Sequence, residues 1–183
     1  MSKKILLIDM DNTIVDYSSE MAKQLRPVYC DNTITAANWD SAPYSDLNAR
    51  RHEIQSQPNF FLNLPPIEGA IDTLMEIEAT ERYEIFIVSS PSISSETCHS
   101  DKCRWLLKHL GVKFARNLIL TKDKTLILGD ILIDDKPYIT GVLKSPSWEL
   151  ITFAQPYNAD IPDRVYLHRW CDWEQTVRLL CNQ

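Results

Sequence analysis

The sequence predicts an α/β fold: a parallel sheet with helices on both faces and a small, mostly helical insert after the first strand. Three observations predict it. Short apolar runs recur at residues 5–8, 85–88, 126–133 and 150–153, with a weaker one at 117–121. Each has the length of a buried strand rather than of a helix. Stretches with helical periodicity lie between them, the alternation that builds a parallel sheet. Residues 17–66 carry almost no strand signal.

The first strand sits in KILLIDMDNTIVD, residues 4–16. Its apolar residues 5–8 run into Asp9 and Asp11, which stand at i and i+2, and then Thr13. That spacing lets an extended chain aim both carboxylates at one point. Two acids held together repel unless a cation or a proton relieves them. A short helix follows over 18–25, with Met21, Ala22 and Leu25 on one side. Scattered aromatics (Tyr29, Trp39, Tyr44, Phe60, Phe61), an Arg-rich helical piece at 47–54 and the prolines at 58, 65 and 66 mark the insert. An amphipathic helix over 69–81 leads to the second strand, which ends at Ser89-Ser90-Pro91. Residues 102–110 form a helix with Trp105, Leu106 and Leu110 on its apolar face, stopped at Gly111. The strand at 117–121 delivers Lys124. The run 126–133, broken by Gly129-Asp130, ends in Asp134-Asp135. Periodicity alone leaves two registers for it, one delivering Asp130 and the other Asp134. A further strand at 150–153 and a helix over 174–180 complete the chain.

Composition narrows the function. The 183 residues suit one domain with an insert, and 44% hydrophobic content fills a core. A net charge of −6 argues against a nucleic-acid or membrane binder. Five cysteines at irregular spacing point to reduced thiols and a cytoplasmic setting. No apolar run approaches membrane-spanning length, and a strand starting almost at Met1 leaves no room for a targeting segment. A homodimer is left open.

Four strand ends thus carry polar residues in the order Asp9/Asp11, Ser89-Ser90, Lys124, Asp134-Asp135. Each type has a part in phosphoryl transfer. One carboxylate can attack phosphorus and another can move the proton. Hydroxyls and a lysine can hold the phosphoryl oxygens, and further carboxylate oxygens suit Mg²⁺. Taken singly, each also reads as a turn or a solvated charge.

The order and the stretches DMDNTIVDY, SSP, LTKDKT and LIDDKPYITG with SPSWE resemble the haloacid dehalogenase-like (HAD) superfamily, and within it the 5′(3′)-deoxyribonucleotidases. The resemblance implies a Rossmann-like HAD core over 1–16 and 67–183, and a cap over 17–66. It implies Asp9 as nucleophile, Asp11 as acid/base, and Ser89, Ser90 and Lys124 on the phosphate. It gives Mg²⁺ to Asp9, the Asp11 carbonyl and Asp134, with Asp135 supporting, and makes Asp130 a strand-start residue. Tyr17 matches an aromatic near the base; Trp39, Phe61 and Lys136 are further substrate candidates. The implied activity is Mg²⁺-dependent dephosphorylation of deoxyribonucleoside monophosphates. The alternatives are another small-molecule or nucleic-acid-end phosphatase, or a non-catalytic nucleotide-binding protein. Two positions depart from the family: Asn12 stands where Gly is usual, and Lys136 where Arg is common.

Overall fold

A computed structural model describes residues 3–159 and 161–181. Six strands form one parallel sheet: β1 (Lys4–Ile8), β2 (Tyr83–Ser89), β3 (Leu118–Leu120), β4 (Ile131–Asp134), β5 (Glu149–Phe153) and β6 (Val165–Leu167), in the order β3-β2-β1-β4-β5-β6. The helices are α1 (Tyr17–Tyr29), α2 (Leu47–Ser56), α3 (Ala70–Ala79), α4 (Cys98–His109), α5 (Val112–Arg116) and α6 (Trp173–Cys181). The chain winds outward from β1 through β2 to β3. It then returns across β1 and winds outward the other way. The strand order therefore reverses between β1 and β4, and in such sheets ligands bind beyond the carboxyl ends at this reversal.

Register follows from burial. Leu6, Ile8, Ile85, Ile87, Ile131, Ile133 and Ile151 enter the larger core with Leu74 and Ile77 of α3, Trp105 and Leu106 of α4, and Trp173 and Val177 of α6. Leu7, Val88 and Leu132 point the other way, alternation being the rule along a strand, and meet Trp148 with Ile127 and Ile139. No α-helix contributes a side chain to this smaller cluster among the described residues; the flanking helices expected from the sequence pack into the larger core. The connections 121–130 and 135–148 cover that face instead. They carry Gly129, Gly141, Pro137 and Pro146, residues that favour turns. Gly129 is required there: a Cβ on it would stand 2.7 Å from Leu7 Cγ.

The run 126–133 resolves in favour of the later register. Residues Lys124–Leu126 form a 3₁₀ turn, and Leu126 and Leu128 are exposed. Pairing begins at Ile131 with Leu6, while the Asp130 carboxylate accepts from Ile5 N at 2.6 Å. Asp130 thus starts the strand and Asp134 ends it. The short edge strand β6 and the one-turn α5 went unseen in the sequence. The helix expected at 102–110 starts earlier, at Cys98.

Trp105 ties α4 to the end of the insert. It is fully buried, and its Nε1 donates to Leu64 O at 2.8 Å. Trp105→Ala should cost about 3–5 kcal/mol, since it empties a large buried volume and strands a carbonyl. Urea unfolding extrapolated to water checks this, and a loss under about 1 kcal/mol would contradict the packing described.

Candidate active site

β1 delivers Asp9 to the carboxyl end of the sheet, where its backbone N–H donates to Ile133 O of the neighbouring β4 at 2.8 Å. The chain then turns sharply. Asn12 adopts the left-handed region at φ 60°, which explains the departure from Gly: Asn tolerates that conformation better than most side chains. Its Oδ1 also accepts from Ser18 N at 2.8 Å, so the turn is fixed to the start of α1. Thr13 is buried and its Oγ1 accepts from Asp135 N at 3.1 Å, joining the turn to the end of β4.

Asp9, Lys124, Asp134 and Asp135 are all buried and lie together. The Lys124 ammonium donates to Asp9 Oδ1 and to Asp134 Oδ2. Burial works against that ammonium, but the two carboxylates outweigh it and hold its proton more firmly than usual. Burial and the Asp9 charge push the Asp134 carboxyl up to about 6, against the pull of Lys124. Burial, then the charges of Asp9 and Asp134, hold Asp135 well above the ordinary range. Its one bonded oxygen accepts from the Tyr157 hydroxyl. Asp134 has both oxygens engaged, the second by Lys136 N at 2.9 Å.

One carboxylate oxygen from each of Asp9, Asp134 and Asp135 lies within 4.8 Å of the others. Three buried acids facing one ammonium form an all-oxygen, negatively charged set. This is the donor chemistry of a hard divalent cation such as Mg²⁺. Asp11 contributes no side chain to this group. Its Oδ2 accepts from Lys102 Nζ at 2.6 Å, while its Oδ1 is buried without a partner among the described residues.

The acids open into a cavity of about 520 Å³. Of the residues singled out in the sequence, Asp9, Asp11, Tyr17, Trp39, Phe61, Ser90, Asp135 and Lys136 line it. Ser89, Lys124 and Asp134 lie beneath it, buried. Tyr17 meets Trp39 edge-on at 5.8 Å and stacks with Phe61 at 6.5 Å between centroids. Trp39 Nε1 donates to Ser18 Oγ at 3.1 Å, and the Tyr17 hydroxyl oxygen accepts from Gln55 Nε2 at 2.7 Å. Sequence reading missed Lys102 and Gln55. Gln55, on α2, also accepts from the hydroxyls of Ser92 and Ser94 at 2.9 Å, tying the insert to the loop after β2.

A parallel sheet with this order and acids gathered at its reversal defines a HAD-like hydrolase. Solved structures agree on the fold. A HAD family hydrolase from Deinococcus radiodurans R1, with bound phosphate and sodium, gives a TM-score of 0.60 at 15% identity, covering 97% of this chain and 96% of that one. A HAD-hydrolase from Bacillus subtilis bound to magnesium gives 0.55 at 13% identity, covering 96% and 98%. The family model for 5′ nucleotidase, deoxy (pyrimidine), cytosolic type C protein matches residues 3–183, and the chain belongs to that family of nucleotidases. The cytosolic-type 5′(3′)-deoxyribonucleotidase of Homo sapiens is 34% identical over 185 positions, covering 94% of this chain and 92% of that protein. The resemblance read from the sequence is borne out.

Asp135 offers a check on the electrostatics. Its folded carboxyl binds a proton more tightly than the unfolded one, so its charge costs stability above the unfolded value near 4. Asp135→Asn should therefore raise the melting temperature at pH 8 in chelator. The gain should shrink as pH falls towards about 4 and vanish below it, where both forms of the wild type are protonated. A gain that persists unchanged at pH 4 would contradict this origin.

Proposed function

We propose that the chain is a Mg²⁺-dependent phosphomonoesterase acting on deoxyribonucleoside monophosphates. The observation that carries this reading is the Asp9 carboxylate, held by Lys124 beside two further buried acids and opening into an aromatic-walled cavity. A volume of about 520 Å³ suits a small-molecule ligand. Residues 17–66, with α1 and α2, act as the cap, and 1–16 with 67–183 as the catalytic core. The name of a cytosolic-type relative supports a cytosolic setting. No described helix is long and apolar enough to cross a membrane.

In the proposed reaction an Asp9 oxygen forms a bond to phosphorus as the bond to the nucleoside oxygen breaks. Asp11 gives that leaving oxygen its proton. Water then attacks the aspartyl-phosphate and yields its proton to Asp11, and Asp9 and inorganic phosphate are released. Lys124 lies against Asp9, where it offsets the charge gathering at phosphorus, and Ser89 and Ser90 hold phosphoryl oxygens. Mg²⁺, when bound, would draw its oxygens from Asp9, the Asp11 carbonyl, Asp134 and Asp135, and supply charge neutralisation. Asp134 was the expected ligand and Asp135 its support. The engaged oxygens of Asp134, and the cavity-lining place of Asp135, favour a larger share for Asp135.

Asp9→Asn should keep the fold and lower kcat by about 1,000-fold or more, because an amide does not attack phosphorus. Phosphate release in excess Mg²⁺ measures it, and turnover within about tenfold of wild type would remove the covalent mechanism. Sugar discrimination tests the substrate. Beside Tyr17, Trp39 and Phe61 a ribose 2′-hydroxyl loses water and meets mainly ring carbon, the Trp39 Nε1 donor being already bonded to Ser18. Burying it unpaired costs on the order of 1–3 kcal/mol, roughly ten- to a hundredfold in kcat/KM. dUMP should thus exceed 5′-UMP by that factor. A ratio near one, or favouring the ribonucleotide, would leave a general nucleotidase on the same catalytic core.

A further inference from the structure

We infer that Lys102 is a positioning residue that aims both the acid/base Asp11 and the phosphate-binding Ser89, an inference that rests on the phosphatase reading above. Lys102 lies on α4, on the same face as Trp105 and Leu106, and its side chain has no exposure at all. A charge buried that deeply is retained only where it is fully paired. Its ammonium has three hydrogens and meets three acceptors: Asp11 Oδ2 at 2.6 Å, Ser89 Oγ at 2.7 Å and Ser90 O at 3.1 Å. The Phe61 ring lies 5.3 Å from Nζ. All its donors are therefore spent inside the protein. Lys124, by contrast, spends two on carboxylates and keeps one.

Two consequences follow from an ammonium's inability to accept. First, Asp11 is held by one oxygen only. The other, Oδ1, is buried and without a partner among the described residues, on a residue that lines the cavity. That oxygen is the one left to carry the proton to the leaving group and to take it from water. Second, Ser89 Oγ must accept from Lys102, so its own hydrogen points elsewhere. The hydroxyl becomes an obligate donor, which is what a phosphoryl oxygen needs. Lys102 thus fixes a direction at both groups and touches no substrate.

The test is Lys102→Met, which keeps length and burial and removes the charge and all three donors. Wild type and variant are assayed with dUMP and with p-nitrophenyl phosphate, folding being checked by a cooperative melt. With dUMP, kcat should fall by about 100-fold or more while KM stays within about threefold. The loss should be smaller with p-nitrophenyl phosphate, whose leaving group needs no proton. In an Asp11→Asn background, adding Lys102→Met should cost about tenfold less in kcat than it does in wild type, because its partner is already gone. Equal losses in the two backgrounds, or a kcat within about threefold of wild type, would overturn the inference. If Lys102→Met melts without cooperativity, Lys102→Gln, which keeps two N–H donors, carries the same comparison. A wild type inactive on both substrates would instead remove the phosphatase reading itself.

Discussion

The structure turns on the cost of burying carboxylates at the reversal point of the sheet. Asp9, Asp134 and Asp135 leave water together, and among the described residues only the Lys124 ammonium bonds to their carboxylates as a cation. An uncompensated buried charge is among the most expensive things a fold can hold. Much around the site serves to share that cost. The Tyr157 hydroxyl donates to the Asp135 carboxylate, the Lys136 backbone N–H donates to that of Asp134, and Lys102 neutralises Asp11 from the other side. The raised Asp134 and Asp135 carboxyls show that the sharing is incomplete. Perturbed acids facing a cavity mark functional sites, since a structure optimised for stability alone would not keep them.

The two lysines divide the work by geometry. Lys124 comes from the connection that crosses the sheet face without an α-helix, and it reaches Asp9. Lys102 comes from a regular helix and reaches Asp11. One is tied to β4 by a short stretch of chain, so its distance to Asp134 is set locally. The other depends on how α4 packs, through Trp105 and the end of the insert. The insert in turn meets the core through Gln55, whose side chain joins Tyr17 to Ser92 and Ser94. The aromatic wall is therefore hydrogen-bonded to the loop after β2.

Much of this was legible in the sequence, for identifiable reasons. Buried parallel strands read as continuous apolar runs, so β1, β2, β4 and β5 stood out, and polar residues ending them marked the site. The register of 126–133 was not legible. Leu126 and Leu128 are as apolar as strand residues yet exposed, and only the Asp130–Ile5 pairing separates them from β4. β6 is a three-residue edge with too little pattern to register. Lys102 was not legible, because a charge at the head of an apolar helix face looks like the boundary of that face. Its place three and four residues before Trp105 and Leu106 was the available signal. No sequence spacing could have revealed its partner, which lies 91 residues earlier.

The parallel pairing of β1 with β4 has one more consequence. Leu6 pairs with Ile131, and Asp130 closes on Ile5 across 125 residues of chain. Asp9 and Asp134 therefore share no local unit that could form by itself. Loop closure of that span must come first, and only the completed sheet brings the acids together. A ligand recognised by this cluster binds the native state and not the unfolded chain, so its binding energy is added to the stability of the whole core. Occupancy of the site and integrity of the sheet become a single thermodynamic quantity, and a substitution far from the cavity that loosens the β1–β4 seam will weaken ligand binding without touching a ligand-binding residue.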